Sequence, residues 1–404
     1  MSESMERRRI VLGVTGSIAA YKAAELARIL VSRGYEVRVV MTQSGMEFIT
    51  PTTMQAVTGQ PVVTDFWDKS EASGIGHIQL ADWAEALVIA PATADVIAKL
   101  AMGFAESPLL AVALATKAPI LVAPAMNMNM YSNPKTQENI EELRKRGVRF
   151  VDPEEGELAC GWNGTGRLAD PEEIFFHVRR ILSPQDFAGK RVLITTGPTR
   201  EALDPVRFIT NRSSGKMGVA LAREAFRRGA EVTLVHGPVH IKVPGPVKRE
   251  EVTSTAEMRK AVMDHMESKS EMPDVVIMAA AVADYRPAEV ADLKMKKSDK
   301  TPTIKLVENP DILHELGKSK VDEKKPILVG FAVETGEIED LLNEARTKLK
   351  NKNADMIVGN FANEAFDLDT NRVWLVDKHG RQEEVATTYK SRVANKILDT
   401  ILTL

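Results

Sequence analysis

One local pattern occurs twice in this chain and restricts its fold more than any other feature. From Arg9, RIVLGVTG is an apolar, β-rich run ending in glycine. SIAAYKAAELARILVSRG then has helical apolar spacing and a glycine stop, and YEVRVVMT reads as a second strand. From Lys190 the order returns: KRVLITTG is a strand ending in glycine, and GVALAREAFRRG and AEVTLVHG are a helix, a glycine stop and a strand. Strand, glycine turn, helix and strand in that order make a parallel pair with a helical crossover. Each half should therefore open a parallel sheet, and 404 residues suffice for two cores.

The fold class expected is α/β, with two Rossmann-like domains built on mainly parallel sheets. ALVIAP (86–91), PILVAP (119–124), DVVIMAA (274–280), ILVGFA (327–332) and DMIVGN (355–360) are short apolar runs without alternation, as suits strands buried on both faces. The turn-rich LSPQDFAGK (182–190) separates the halves, which places the domains at 1–185 and 186–404. Ligands in such sheets bind beyond the carboxyl ends of the strands, so residues following these runs are the candidates.

Composition narrows the function. The chain is 44% hydrophobic and 27% charged with a net charge of −3, so it has no general field for nucleic acid or an anionic membrane. No stretch approaches a membrane span, and the start, MSESMERRRI, lacks an apolar signal core, which points to the cytoplasm. A lone cysteine, Cys160, makes neither an internal disulfide nor a zinc cluster; it is a buried hydrophobe or a chemical group.

In the first half, Gly13, Gly16 and Ser17 lie between strand and helix, where free N–H groups attract a phosphate or glycines simply permit a tight turn. A dinucleotide fold usually carries an acidic residue after its second strand to hold ribose hydroxyls. Here the residues are Val39, Val40, Met41 and Thr42, which disfavours NAD and leaves a mononucleotide. Thr93 and Asp95 stand at a helix start, where N-capping is the bland reading. AMNMNMY is a polar, Met-rich loop; His77 precedes a helix whose apolar side is Ile78, Leu80, Ala81 and Ala84; and Cys160 sits among glycines in ELACGWNGTGRL.

TGSIAAYK, GHIQLADWA, PATADVIAKLAMG, PAMNMNMY and ACGWNGTGRL, in that order over residues 9–182, resemble the phosphopantothenoylcysteine decarboxylase branch of the flavin-containing cysteine decarboxylases. The resemblance implies an FMN cofactor held by the segments of Gly16, Ser17, Thr42, Thr93 and Ser107. It places His77, Asn127 and Cys160 at the catalytic positions. The implied chemistry oxidises the substrate thiol to a thioaldehyde, which accepts the electrons when CO₂ leaves; the enethiolate is then reduced. In that scheme His77 orients or deprotonates the thiol, Asn127 clamps the carboxylate and Cys160 is the final acid.

In the second half, Asn211, Arg212, Ser213, Ser214, Gly215 and Lys216 crowd donors at a helix start, suited to an anion but without P-loop spacing. Asp284 follows a buried strand, and Lys294, Lys296 and Lys297 follow it, parts that could serve a triphosphate with Mg²⁺ or form a solvated face. DPVRFITNRSSGKMG, AAAVADY, KMKK, NPDI and GFAVET, over roughly 190–401, resemble the phosphopantothenate–cysteine ligase domain. That likeness implies an acyl-cytidylate made from CTP and opened by cysteine. Asn211 would act on the intermediate and Lys294 would bind nucleotide from a flexible flap. Asp284 (also the Mg²⁺ residue), Asn309, Pro310, Asp311, Ile312, Phe331, Lys348 and Lys352 would fall at or near CTP. Partners would be the small-molecule substrates, and the family's trimeric decarboxylase joined to a dimerising ligase implies a homo-oligomer, a dodecamer. Competing readings are another flavin cysteine decarboxylase or prenyltransferase of this fold, a non-catalytic flavin-binding regulator, and a dinucleotide-linked dehydrogenase.

Overall fold

The computed structural model describes residues 8–66, 76–157, 161–239, 247–268, 272–296, 303–320, 325–365 and 368–404. The chain divides into two compact units, 1–183 and 184–404.

The first unit runs β1 (Arg9–Val14), α1 (Tyr21–Ser32), β2 (Glu36–Met41), α2 (Gln43–Met46), α3 (Pro51–Thr58), β3 (Val62–Val63), α4 (His77–Trp83), β4 (Ala86–Ala92), α5 (Ala94–Met102), α6 (Pro108–Ala115), β5 (Ile120–Pro124), α7 (Met128–Ser132), α8 (Pro134–Lys145), β6 (Arg149–Phe150), β7 (Glu154–Glu157), β8 (Asn163–Arg167) and α9 (Pro171–Ile181). Its parallel sheet has the order β3-β2-β1-β4-β5-β6. The strand order reverses between β1 and β4, the point where such sheets leave a crevice. Ile10, Leu12 and Val14 face one layer of core with α1 and α9, while Val11, Leu87 and Ile89 face the other with α4, α5 and α6. Burial on both faces explains why these strands read as continuous apolar runs, each full side chain contributing about 1.5–3 kcal/mol.

The second unit runs β9 (Arg191–Thr196), β10 (Arg200–Ala202), β11 (Phe208–Thr210), α10 (Lys216–Arg227), β12 (Glu231–His236), β13 (Lys248–Glu251), α11 (Thr255–Glu267), β14 (Val275–Met278), β15 (Tyr285–Pro287), β16 (Leu306–Glu308), α12 (Ile312–Lys318), β17 (Ile327–Glu334), α13 (Ile338–Asn351), β18 (Met356–Phe361), α14 (Ala362–Ala365), β19 (Thr370–Asp377), β20 (Gln382–Tyr389) and α15 (Lys390–Ile401). Its main sheet has the order β13-β12-β9-β14-β17-β18-β19-β20 and reverses between β9 and β14. Pairing is parallel up to β18, after which β19 and β20 return antiparallel. Both sheets are thus mainly parallel within an α/β fold, and the antiparallel hairpin is the part the apolar runs did not announce. Its last strand, at the edge of the sheet, is exposed along almost its whole length, with only Val385 and Thr388 partly covered, so its sequence, QEEVATTY, is mostly polar.

Candidate functional site

In the first unit the loops after β1, β2 and β4 are hydrogen-bonded into one wall at the crevice. Thr15, fully buried, donates its hydroxyl to the Pro91 carbonyl at 2.8 Å and accepts from the Thr93 amide at 3.1 Å. The Thr42 amide donates to the Val14 carbonyl at 3.0 Å, and Gly16 packs against Ser44 of α2. Ser17, Thr42, Thr93 and Ser107 each stand at a helix N-terminus with the side-chain oxygen accepting a backbone N–H. Ser107 is drawn to the same edge because Leu109 of its helix packs over Gly13, where a Cβ would come 2.5 Å from the leucine. All five positions that the resemblance connects with FMN are half-buried and lie at the carboxyl edge of this sheet. Half-buried hydroxyls and several helix starts beside one crevice suit a phosphorylated, hydroxyl-rich cofactor. Thr15, which ties two of these loops together, was not singled out from sequence; its only signal is a polar residue closing an apolar strand.

Asn127 caps α7, accepting from the Asn129 amide at 2.8 Å. The β7–β8 hairpin lies along its loop: the Met126 amide donates to the Gly166 carbonyl at 3.0 Å. A Cβ on Gly166 would come 2.3 Å from the Met126 carbonyl oxygen, so only glycine permits that approach. Cys160 falls between the two strands of the hairpin and lies outside the described residues. His77 opens α4, half-buried, its ring edge-on to Phe66 at 5.2 Å.

In the second unit a cavity of about 860 Å³ opens beyond the carboxyl ends of β14 and β17. Asn211, Asp284, Asn309, Pro310, Asp311, Ile312, Phe331, Lys348 and Lys352 all line it. Residues far apart in sequence meet there because β14, β16, β17 and the end of α13 converge on one edge. Asn211 donates from Nδ2 to the Val282 carbonyl at 2.9 Å, fixing its amide against the turn after β14. Asn309 acts inward rather than toward the opening: its Nδ2 donates to the Ala283 carbonyl at 2.8 Å and its Oδ1 accepts from Arg286 at 3.0 Å. Two threonines absent from the sequence reading hold the same turn, Thr195 accepting from the Ala280 amide at 3.2 Å and Thr199 from the Ala283 amide at 2.9 Å.

Charge at the cavity is mixed. Lys352 bonds Asp311, which also caps α12 through the His314 amide at 2.9 Å. Burial pushes the Asp311 carboxyl up, but the Lys352 ammonium and the His314 amide outweigh it and hold the group below the usual carboxylate range. Lys348 is 3.5 Å from Glu344. Lys294 is exposed and is not among the cavity-lining residues, so the structure does not bring it to the others. Lys297 lies outside the described residues. Among the described residues no three His, Cys, Asp or Glu side chains form a metal-binding group, and Asp284 is one of three carboxylates, with Glu308 and Asp311, that line the cavity.

Beside the large cavity is a recess of about 150 Å³ that shares Phe331 and Val333 with it. Ser213, Ser214, Gly215 and Lys216 at the start of α10 line it, facing Asn371 and Lys390. Asn371 is buried, and its Oδ1 has no hydrogen-bond partner among the described residues.

Comparison with known proteins gives matches over both units. A family model described as "Flavoprotein" matches residues 1–183, and one described as "DNA/pantothenate metabolism flavoprotein C-terminal domain" matches residues 187–404. The chain is 48% identical to the "Coenzyme A biosynthesis bifunctional protein CoaBC" of Vibrio cholerae over 404 residues, covering 99% of each chain. It is 46% identical to the protein of that name from Bacillus subtilis and 43% identical to that from Escherichia coli, covering 99% of this chain and 98% of each relative. No helix among the described residues is long and apolar enough to cross a membrane.

Proposed function

The chain belongs to the CoaBC family of bifunctional coenzyme A biosynthesis proteins, and from that premise we propose a division of labour between its units. It is an enzyme with phosphopantothenoylcysteine decarboxylase and phosphopantothenate–cysteine ligase activities. The second unit joins cysteine to 4'-phosphopantothenate through an acyl-cytidylate formed from CTP. The first decarboxylates the product to 4'-phosphopantetheine with FMN.

The observation that carries the ligase reading is the cavity beyond β14 and β17, where the Asn309–Ile312 turn, Phe331, Lys348 and Lys352 share one lining with Asn211 and Asp284. Its size suits a nucleoside triphosphate. Lys348 and Lys352 counter the phosphate charge, and Asp284 would help to hold a Mg²⁺ that, when bound, would offset the charge of the triphosphate. Attack of the substrate carboxylate oxygen on the α-phosphorus breaks the bond to pyrophosphate. The cysteine amine then forms the amide C–N bond and CMP leaves. Asn211, held against Val282, orients the acyl group, and the donor-rich 213–216 turn receives the phosphate of the acyl substrate.

In the first unit, Gly16, Ser17, Thr42, Thr93 and Ser107 hold FMN at the sheet edge; when bound, the cofactor supplies two-electron redox chemistry. Asn127 binds the substrate carboxylate, His77 orients or deprotonates the thiol, and Cys160 delivers the proton that completes the aminothiol. Each unit thereby supplies what the other lacks, one making the cysteinyl amide and one removing its carboxylate. The complete enzyme is a homo-oligomer, a dodecamer of trimers joined through ligase dimers, acting in the cytoplasm on small molecules.

Incubation with 4'-phosphopantothenate, cysteine, CTP and Mg²⁺, followed by mass spectrometry, tests this. The cysteinyl amide and 4'-phosphopantetheine should both appear with equimolar CMP. Protein that is yellow with flavin yet releases neither pyrophosphate nor CO₂ would instead support a non-catalytic flavin-binding regulator.

A further inference from the structure

Lys294 lies in the connection between β15 and β16, two strands whose residues Tyr285 and Glu308 line the large cavity. Its exposed side chain is not among those lining the cavity and gives no sign of what holds its segment in place. The backbone beside it does. The Met295 amide donates to Asp204 Oδ2 at 3.1 Å, and the Met295 carbonyl accepts from the Arg207 guanidinium at 3.1 Å. One turn earlier, the Ala291 amide donates to the Leu203 carbonyl at 3.0 Å. The lysine-bearing segment is therefore tied to the tip of the β10–β11 hairpin, and both backbone polar groups of Met295 are bound there.

Asp204 is built for that task. Its side chain is fully buried, although a surface-hairpin tip is an ordinary place for an exposed aspartate. Oδ1 accepts from the Val206 and Arg207 amides at 2.7 and 2.8 Å, and Oδ2 accepts from Met295 and, at 3.2 Å, from Arg207. Burial pushes its carboxyl up, but the Val206, Met295 and Arg207 amides with the Arg207 guanidinium outweigh it and hold the group below its usual range. Two acceptances close the local turn. A third, from the Arg207 guanidinium, is local as well, but the fourth reaches across roughly ninety residues of sequence to the Met295 amide, which turn formation alone does not require.

We propose that Asp204 is a positioning residue for the ligase reaction: by binding the Met295 backbone it anchors the segment from which Lys294 serves the nucleotide. The proposal rests on the reading of Lys294 as a nucleotide-binding residue and adds what holds it in place. Anchoring beside the lysine restricts the positions its side chain can sample, so less freedom is lost when the triphosphate arrives.

Asp204→Asn tests it with little change in volume. The amide nitrogen must replace one oxygen, and the adjacent turn retains the other, so the contacts released are those of Oδ2, to the Met295 amide and the Arg207 guanidinium. The full-length enzyme should show the KM for CTP rising roughly ten-fold, the scale of a lost hydrogen bond to a charged group. Amide exchange at Met295 should accelerate, with decarboxylation and the melting temperature unchanged. In a Lys294→Ala background the same substitution should cost less than about two-fold, because the group it positions is gone. An unchanged KM for CTP in Asp204→Asn, or an undiminished loss in the Lys294→Ala background, overturns the proposal. A Lys294→Ala enzyme with full ligase activity overturns the nucleotide-lysine reading itself and the proposal with it. Should Asp204→Asn fail to fold, Met295→Pro, which deletes the donor and leaves Asp204 in place, must give the same rise in KM or the proposal falls.

Discussion

Both sheets reverse strand order at one point and carry a crevice at their carboxyl edge, yet the two crevices are furnished by different means. In the first unit the wall consists of helix starts, with Ser17, Thr42, Thr93 and Ser107 each capping its own helix while facing the same edge. In the second, the wall consists of loops braced by side chains from neighbouring strands, with Thr195, Thr199 and Asn309 all spent on the turn after β14. A cap is local: its oxygen satisfies an N–H two or three residues away, so its position follows from the helix that it starts. A braced loop depends on partners from several strands and can present a larger, more open cavity. The first arrangement suits a resident cofactor, and the second suits substrates that must enter and leave.

The contrast can be broken by substitution, beginning with the largest effect. Cys160→Ser should reduce release of aminothiol by about 10²–10⁴-fold, the usual span for loss of a positioned acid, while CO₂ still leaves. Product mass spectrometry checks this, and normal aminothiol at the normal rate would remove Cys160 from that role. Lys294→Ala should lower ligase turnover by about 10²-fold and spare decarboxylation; loss of both activities would show that the units do not work independently.

Gly166→Ala tests how strictly the hairpin is held against the Asn127 loop. The added methyl meets the Met126 carbonyl oxygen, so about 1–3 kcal/mol of stability should be lost, with decarboxylation impaired and ligation untouched. Separate unfolding and activity assays would reveal it, and a full-rate decarboxylase would show that the hairpin can shift without consequence.

The smallest effect concerns pH. The carboxyl of Asp311 is held below its unfolded value by Lys352 and the His314 amide, against burial. Its stabilising contribution is therefore complete above the ordinary carboxylate pKa of about 3.9 and is lost as pH falls through the lower folded value. Because the side chain is nearly half exposed, Asp311→Asn should cost at most about 1 kcal/mol at neutral pH, and the difference should vanish in acid. Denaturant unfolding at several pH values measures this; a difference that persists in strong acid would trace to the helix cap instead of the ion pair.

The sequence by itself determined the class of the fold, because the strand–glycine–helix–glycine–strand order is a local property and the two-sided burial of the strands is written in unbroken apolar runs such as ALVIAP and ILVGFA. Residue types at the strand ends also marked where chemistry could sit, since polar side chains closing apolar strands have few structural reasons to be there. The antiparallel pair β19–β20 was not legible, because QEEVATTY carries only a weak alternation beside its neighbours. Nor were the residues that brace the sites: Thr15, Thr195, Thr199 and Asp204 look like ordinary loop and strand-end residues until their distant partners are seen. The meeting of Asn211, Phe331 and Lys352 on one cavity was likewise decided by tertiary structure, as was the separation of Lys294 from them. Spacing along a chain encodes the period of a helix or strand, but a hydrogen bond from the Met295 amide to Asp204 depends on how folded elements pack, and no local pattern records that.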